Sequence, residues 1–512
     1  MCIRDSPFSD STNPGYSAFK TTWKDRPPVV YVSANDGMMH AINGSLTGSD
    51  AGTEMFAYVP SALFQGPNGT PNTDGLASLG NPSFTHHYMV NATPNVYDID
   101  LARTADDSGV KYTGTPTANW RTVLIGGQGK GGKSYFALDV TDPAGIVTNG
   151  ETTLASKVLW EFSNATPGMS GELGYSYGAP AVVKTQKYGW VAIIPSGYNN
   201  ADGKGYILIV NPRNGKLLEK VTTNTGSTTN DAGLAHLEAF VIDYTNGTAD
   251  SVYAGDLLGN VWRFDLTGTA AYPNATNIAT LTSPGASATP QPVTSRPSIA
   301  IHPKTKKRVV MVGTGRLLHT TDIASTQIQT FYSIFDGTNA KFNAASDLPT
   351  GLAFPLNRTH GDFADNTGNS LTGVTINPDT QLGWFEDLGQ SASNNRGWRI
   401  VSDSDTFFGT VSFAAIMPDG GVCDPSGNSR IYGRDYATAI TTLTTTNALN
   451  QIVDTAYVAM TGTVTDVRTL SVAGKAVLIA GTNLGDVKKV DTKAGAGTPV
   501  RRLNWRELQS VD

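Results

Sequence analysis

Short stretches in which hydrophobic and polar residues alternate recur along the chain, and they predict β-strands. In the segment Asn260–Leu266, NVWRFDL, every second residue from Trp262 to Leu266 is apolar. The residues between them include Arg263 and Asp265, on the opposite side of an extended chain. The alternation predicts a half-buried strand with one apolar face and one wetter face.

The hairpin that contains this strand has counterparts elsewhere in the chain. Its first strand is predicted at Ser251–Asp256 and its turn at Leu257–Gly259. The same order of a β-rich strand, a glycine-containing turn, and an alternating strand that ends in Asp or Asn occurs over residues 32–43, 124–139, 254–265 and 480–491. A repeated supersecondary unit constrains the fold more than local propensity does.

The strand patterns group into about seven clusters, near residues 29–60, 121–162, 178–221, 237–266, 295–336, 407–440 and 474–506. Several small sheets of this kind are typical of a β-propeller. The sequence therefore predicts an all-β protein, a modified β-propeller of about seven irregular blades. Because the clusters are unevenly spaced, we expect long loop insertions, the largest near residues 65–119 and 337–396.

Composition supports this class and argues against two others. Charged residues make up 16% of the 512 residues, and the chain has 55 glycines and 27 prolines, as expected for many short strands joined by turns. The net charge of −6 gives no reason to expect nucleic-acid binding. No apolar run reaches the roughly 18 residues that a membrane-spanning helix needs.

The first six residues, MCIRDS, match the translation of a common sequencing adapter, and we interpret residues 1–6 as an assembly artefact. We assign residues 7–28 to a linker or the start of the domain, residues 29–508 to the propeller, and residues 509–512 to a tail. The two cysteines exclude a disulfide framework. If the artefact is real, the protein starts further upstream, where a targeting signal would lie.

A polar loop between two predicted strands resembles the calcium-binding pattern D-x-D-x-D-G-x-x-D. Calcium takes six to eight oxygen ligands, which short acidic loops supply. Residues 246–250 fit the second half of the pattern, with Gly247 at the sharp turn. The first half is short, since Asp243 lies one residue too close and Thr245 stands in place of a carboxylate. The alternatives are a weak or degenerate Ca²⁺ site and a plain Asn-Gly turn.

The segment Gly127–Ser134, GQGKGGKS, matches the phosphate-loop pattern G-x-x-x-x-G-K-[ST]. A phosphate loop must be followed by a helix whose N-terminus holds the phosphates. Here the strand-like run Tyr135–Val140 follows, so the segment is predicted to be a hairpin turn. The seven histidines lack zinc-site spacing, and no G-x-S-x-G motif is present.

Several of these strings resemble one known family. They are AGDLLGNVWRFD at residues 254–265, GKSYFALDVTDP at 132–143, TSRP at 294–297, GTG at 313–315 and NWREL at 504–508. They resemble the PilY/PilC family of type IV pilus biogenesis proteins and tip adhesins, over roughly residues 29–508. The resemblance implies the family's C-terminal modified β-propeller, with an adhesive module, often of von Willebrand A type, upstream.

The resemblance also implies a non-enzymatic role at the cell surface, at the pilus tip or associated with the outer membrane after export through the periplasm. The implied activities are pilus extension against retraction, surface attachment and twitching motility. The implied partners are minor pilins, together with host or abiotic surfaces contacted through the upstream region. In family members a calcium loop helps to control extension. It maps onto Asp243, Thr245, Asn246, Thr248 through its carbonyl, and Asp250, so Ca²⁺ is the implied cofactor.

The alternative from another class is a quinoprotein dehydrogenase, because those enzymes are also propellers with repeats rich in Gly, Asp and Trp. They hold a quinone with calcium in a central channel, and those that oxidise alcohols often have adjacent cysteines. This chain has no Cys-Cys pair, and its candidate cation loop lies beside a hairpin. The sequence therefore favours the binding and assembly role.

Overall fold

The computed structural model describes residues 8–285, 288–337, 356–357, 362–377, 381–389, 397–418, 427–472, 475–493 and 495. These residues form eight small β-sheets of two to five strands each. The all-β prediction and the estimate of about seven blades are confirmed. The predicted artefact at residues 1–6, the NWREL motif at 504–508 and the tail at 509–512 lie outside the described residues.

The first four sheets are listed here in the order of the chain. Their strands are Val29–Ser33, Met39–Asn43 and Glu54–Tyr58; Asn95–Asp100, Trp120–Gly127, Ser134–Asp139 and Val158–Ser163; Ala181–Thr185, Gly189–Pro195, Lys204–Val210 and Leu217–Gly226; and Leu237–Val241, Ala249–Gly255, Asn260–Asp265, Thr276–Thr280 and Leu356–Asn357.

The remaining four sheets follow. Their strands are Ser298–Ile301, Arg308–Gly313, Thr330–Asp336, Gly383–Asp387 and Ala364–Asp365; Asp405–Phe407, Thr410–Met417, Asn428–Asp435 and Val458–Thr461; Thr444–Thr446 and Ile452–Asp454; and Val464–Val472, Lys475–Thr482 and Val487–Asp491. Most neighbouring strands pair antiparallel and in chain order, as in the blades of a propeller.

Helices connect some of these strands. The α-helices of the described residues are Tyr16–Thr22, Ala62–Gln65 and Pro143–Lys157, and the 3₁₀-helices are Leu76–Gly80, Leu101–Arg103, Gly129–Gly131 and Thr320–Asp322. The longest begins where the Asp142 carboxylate accepts a hydrogen bond from the Gly145 amide at 2.9 Å. A capping aspartate followed by Pro143 favours a helix start, and no helix was predicted at this position from the sequence.

Both segments expected to be long loop insertions contain strands. Asn95–Asp100 lies in the first and pairs with Trp120–Gly127, and Gly383–Asp387 lies in the second and pairs with Thr330–Asp336. The acidic residues of Asn95–Asp100 hide the strand pattern. Asp98 is buried, and its carboxylate accepts hydrogen bonds from the hydroxyls of Tyr16 and Thr122, both at 2.8 Å.

The predicted wetter face of the strand Asn260–Asp265 is buried except at Asp265, which is partly exposed, so that part of the prediction is wrong for most of the strand. Val261 is fully buried and Arg263 is only 6% exposed, although both lie opposite the apolar face. The physical reason is that many strands of this protein are covered on both sides of the sheet. Every residue of Gly189–Pro195 is buried, for example, as in sheets with both faces packed.

The chain divides into two compact units, residues 1–252 with 263–276 and residues 253–262 with 277–512. In the first unit, Trp120 and Trp190 meet edge-to-face with ring centroids 5.8 Å apart. In the second unit, Phe413 stacks between Phe331 at 3.9 Å and Tyr432 at 4.8 Å. Each unit thus has an aromatic core of its own.

A buried carboxylate closes the turn of the most distinctive hairpin. Asp256 is fully buried and accepts hydrogen bonds from the amides of Leu258 at 2.9 Å and Asn260 at 2.8 Å. The Asn260 side-chain amide at 2.9 Å and the Trp262 indole N–H at 2.7 Å also donate to it. Burial raises the pKa of this carboxyl to about 6. One side chain therefore satisfies four donors in this largely buried turn and the strand that follows it.

The substitution Asp256→Ala should lower the free energy of unfolding by about 3 kcal/mol, because it leaves buried donors without an acceptor. Urea denaturation followed by Trp fluorescence measures this change. Asp265→Ala is the matched control, since its carboxylate accepts only from Thr267 at the surface, and it should cost less than about 1 kcal/mol. Equal losses in the two variants would contradict this role for Asp256.

Candidate functional site

The candidate calcium loop connects the strands Leu237–Val241 and Ala249–Gly255 of the fourth sheet. The amides of Asn246 and Gly247 donate to the Asp243 carbonyl at 3.0 and 2.9 Å, which closes a tight turn. Gly247 has a φ of 75°, a conformation that favours glycine, as the Asn-Gly pattern predicts. The loop is therefore a compact turn.

The side-chain oxygens of the loop bond to their own neighbours. The Asp243 carboxylate accepts from the Thr245 amide at 2.9 Å and from the Thr245 hydroxyl at 2.6 Å. The hydrogen bond from that hydroxyl is the main cause that lowers the pKa of Asp243. The Asn246 side-chain carbonyl accepts from the Thr248 hydroxyl at 2.7 Å. These side chains form an Asx-type turn network.

Asp250 lies beyond the turn, within the strand Ala249–Gly255. One of its carboxylate oxygens accepts a hydrogen bond from the Ser251 hydroxyl at 2.9 Å. Within the described residues, no group of three or more Asp, Glu, His or Cys side chains is placed to hold a metal ion. The two carboxylates of the predicted site thus do not combine with a third.

Residues far away in the sequence bond to the outer side of the loop. The Thr245 carbonyl accepts from the Ser9 amide at 3.1 Å, the Thr12 hydroxyl at 2.9 Å and the Asn13 side-chain amide at 2.8 Å. Asn13 is 1% exposed and also lies 3.3 Å from the Asn246 carbonyl. The N-terminal residues 9–13 therefore supply donors to the loop.

Lys184 contacts the loop from a neighbouring strand, Ala181–Thr185. Its amide donates to the Gly247 carbonyl at 2.9 Å, and its ammonium donates to the Thr12 carbonyl at 3.2 Å. The residue is only 8% exposed. A buried positive charge thus lies beside the loop, where its field acts favourably on Asp243.

This arrangement does not fit a calcium ion. A calcium site directs six to eight oxygens at one point. Here the donors from residues 9–13 bond the Thr245 main-chain carbonyl. The internal bonds of the turn use one carboxylate oxygen of Asp243 and the Asn246 side-chain carbonyl, and no third carboxylate joins Asp243 and Asp250 among the described residues. Calcium binding by Asp243, Thr245, Asn246, Thr248 and Asp250 stays a prediction, and the geometry of these residues does not favour it.

Sequence reasoning missed the residues that hold the loop. Asn13 is 232 positions away from Thr245, and Lys184 is 63 positions away from Gly247. No local pattern links positions so distant, because only the packing of the strands brings them together. The Lys184 side chain also carries no motif that marks it as a partner of the loop.

The phosphate-loop-like segment forms a hairpin connection, as predicted. Strand Trp120–Gly127 leads through the 3₁₀-helix Gly129–Gly131 into strand Ser134–Asp139. The Gln128 side chain accepts a hydrogen bond from the Ser134 hydroxyl at 2.6 Å. A strand, and not a helix, follows the glycines, so the segment has no helix N-terminus to hold a phosphate.

The family model of the PilY1 β-propeller domain matches residues 5–357. The chain belongs to this family. The type IV pilus biogenesis factor PilY1 of Pseudomonas aeruginosa UCBPP-PA14 is 28% identical in an alignment of 466 positions that covers 82% of this chain. A PilY1 homolog of Xylella fastidiosa Temecula1 is 30% identical in an alignment of 454 positions that also covers 82% of this chain. The resemblance found in the sequence is confirmed.

The fold is also that of a PilY1 propeller. The solved C-terminal domain of Pseudomonas aeruginosa PilY1 aligns with a TM-score of 0.69 and 24% identity, covering 96% of this chain and 98% of that one. The chain spans only 36% and 27% of the lengths of the two curated relatives. Among the described residues of this PilY1 propeller, no helix has the length and hydropathy to cross a membrane.

The Lys184 ammonium gives a pH-dependent prediction. Burial lowers its pKa to about 8; Arg103 and Lys111 act in the same direction, whereas Asp100 and Asp243 oppose it. Between about pH 8 and pH 9.5 the unfolded chain keeps this proton and the folded chain releases it. The free energy of unfolding should therefore rise with pH, by up to about 1.4 kcal/mol per unit.

Urea denaturation of the protein and of Lys184→Met across this pH range measures the contribution. The difference between the two slopes isolates Lys184 from the other titrating groups. The variant should lose the rise with pH. Parallel curves for the two proteins would contradict the assignment of a lowered pKa to Lys184.

Proposed function

We propose that this chain is the propeller part of a type IV pilus biogenesis factor that acts at the cell surface, at the pilus tip or beside the outer membrane. There it supports pilus extension against retraction, and through it surface attachment and twitching motility. The observation that carries the proposal is the PilY1 family match over residues 5–357. The relatives that align with the chain are named as pilus biogenesis factors.

The proposed partners are minor pilins at the pilus tip, with host or abiotic surfaces contacted by parts of the protein outside this chain. The blades supply a rigid scaffold whose connecting loops are free to carry contacts. A role without catalysis agrees with the names of the relatives. The proposal leaves out calcium modulation, since the loop residues do not fit a calcium site.

The quinoprotein dehydrogenase alternative has no observation in its favour. The likeness to a quinohemoprotein alcohol dehydrogenase has a TM-score of 0.41 and 12% identity, and at that distance it carries no argument. Titration of the purified protein with the quinone tests it directly. Alcohol-dependent dye reduction by the quinone-loaded protein would contradict the assembly role.

Deletion of the gene from its own bacterium tests the proposed function. The deletion strain should lose surface pili and twitching, because extension would no longer be supported against retraction. Electron microscopy counts the pili, and the intact gene should restore them. The control is a strain that also lacks the retraction motor. Pili that return in this strain were lost through unopposed retraction, whereas pili that stay absent were lost through failed assembly.

The destabilised variant Asp256→Ala and its control Asp265→Ala can be introduced into the complementing gene. The first should restore fewer pili than the second, because the propeller needs its buried hairpin turn. Immunoblots of the cell surface report whether each variant is present.

Normal pili and twitching in the deletion strain would contradict the proposed function.

A further inference from the structure

The hydrogen bonds of the Thr245 carbonyl are the first observation that shows how the chain itself holds this loop. A carbonyl oxygen has two lone pairs. This one accepts from three donors, at 3.1 Å from the Ser9 amide, 2.9 Å from the Thr12 hydroxyl and 2.8 Å from the Asn13 side-chain amide. Its lone pairs are used by N–H and O–H groups of residues 9–13, which ties the loop to that segment.

The second observation is the charge that lies beside the loop. The Lys184 ammonium bonds the carbonyl of Thr12, the residue whose hydroxyl donates to Thr245. A cation beside Asp243 would meet some repulsion from this ammonium, which solvent weakens because Asp243 is exposed. The ammonium lowers the pKa of Asp243, but less than the hydrogen bonds from Thr245 do.

The third observation is the way in which the donors are anchored. Residues 9–13 form a turn in which the Thr12 and Asn13 amides donate to the Ser9 carbonyl at 3.1 and 2.7 Å. Phe8 precedes this turn, and its ring packs against Tyr16 at 5.2 Å and Trp190 at 5.4 Å. The donors are therefore fixed to the aromatic core of the first unit.

Phe8 also lies directly against the loop. A Cβ atom added at Gly247 would be 3.1 Å from the Phe8 ring. Glycine suits this position for two reasons: it adopts a positive φ without strain, and it leaves room for the Phe8 ring. Residues 8–13 therefore contact the loop of residues 242–248 both through hydrogen bonds and through an apolar ring.

We propose that residues 8–13 and the backbone amide of Lys184 together form a clasp that replaces calcium in this PilY1 propeller. The clasp holds the loop of residues 242–248 closed by hydrogen bonds from the chain itself. The loop is structurally independent of calcium. This inference concerns the purified protein and does not rest on the proposed role in pilus assembly.

Calcium titration of the purified protein tests the first half of the proposal. Isothermal titration calorimetry with millimolar calcium should show only heats of dilution, and the midpoint of thermal unfolding should be the same in calcium and in EGTA. A binding isotherm that Asp250→Ala abolishes, or a midpoint raised by calcium, would overturn the proposal.

The substitution Asn13→Asp tests the second half. It keeps the shape of the side chain but replaces the buried donor with an oxygen that faces the Thr245 carbonyl. The midpoint of thermal unfolding should fall by about 5 °C in EGTA. A midpoint equal to that of the unmodified protein would overturn the clasp.

Asn81→Asp is the matched control for this substitution. Asn81 is exposed, and its side chain uses only the carbonyl oxygen, which accepts from the Ser83 amide at 2.9 Å. Aspartate keeps that acceptor, so the midpoint should stay within about 1 °C of the unmodified protein. A fall as large as that of Asn13→Asp would show that the added charge, and not the lost donor, is the cause.

Discussion

Satisfying polar groups at the ends of short, buried strands is the constraint on which this structure depends. A sheet covered on both faces gives water no access to its turns, so the backbone donors there need acceptors from the protein. Asp256 is the clearest case, with four donors bonded to one carboxylate. Asp98 is a buried acceptor within a strand of the second sheet, where it bonds the side-chain hydroxyls of Tyr16 and Thr122.

The loop of residues 242–248 follows the same rule with different groups. Its Thr245 and Gly247 carbonyls accept hydrogen bonds from outside the loop. The donors are residues 9–13 for Thr245 and the Lys184 amide for Gly247. A shortened acidic loop loses ligands for an ion, and a segment that supplies N–H and O–H groups compensates for that loss. Under the proposed clasp, the loop of this PilY1 propeller is held without an ion.

Repeated local patterns made much of the fold predictable. The strand-turn-strand repeat at residues 254–265 indicated the hairpin, and the strand after the GQGKGGKS segment excluded a phosphate loop. Strands that carry buried acids, such as Asn95–Asp100, were less visible because their carboxylates are satisfied by partners distant in sequence. The helix Pro143–Lys157 was missed because its capping residues also suit a turn.

The candidate site was predictable only in part. The Asn-Gly turn and its internal bonds follow from local sequence, since Asp243 and Asn246 bond to residues two positions away. The partners of the Thr245 carbonyl do not, because Asn13 comes from the other end of the first unit's sequence. Counting calcium ligands from the motif alone therefore includes oxygens that accept hydrogen bonds from other residues in the folded protein.

Hydrogen–deuterium exchange in EGTA and in calcium is the most direct test of this account. The Lys184 amide bonds to the Gly247 carbonyl, and the Ser9 amide bonds to the Thr245 carbonyl. Their protection reports whether the loop is closed. We expect both amides to be protected to the same degree in the two buffers. Protection that appears only when calcium is added would contradict a loop held by the chain itself.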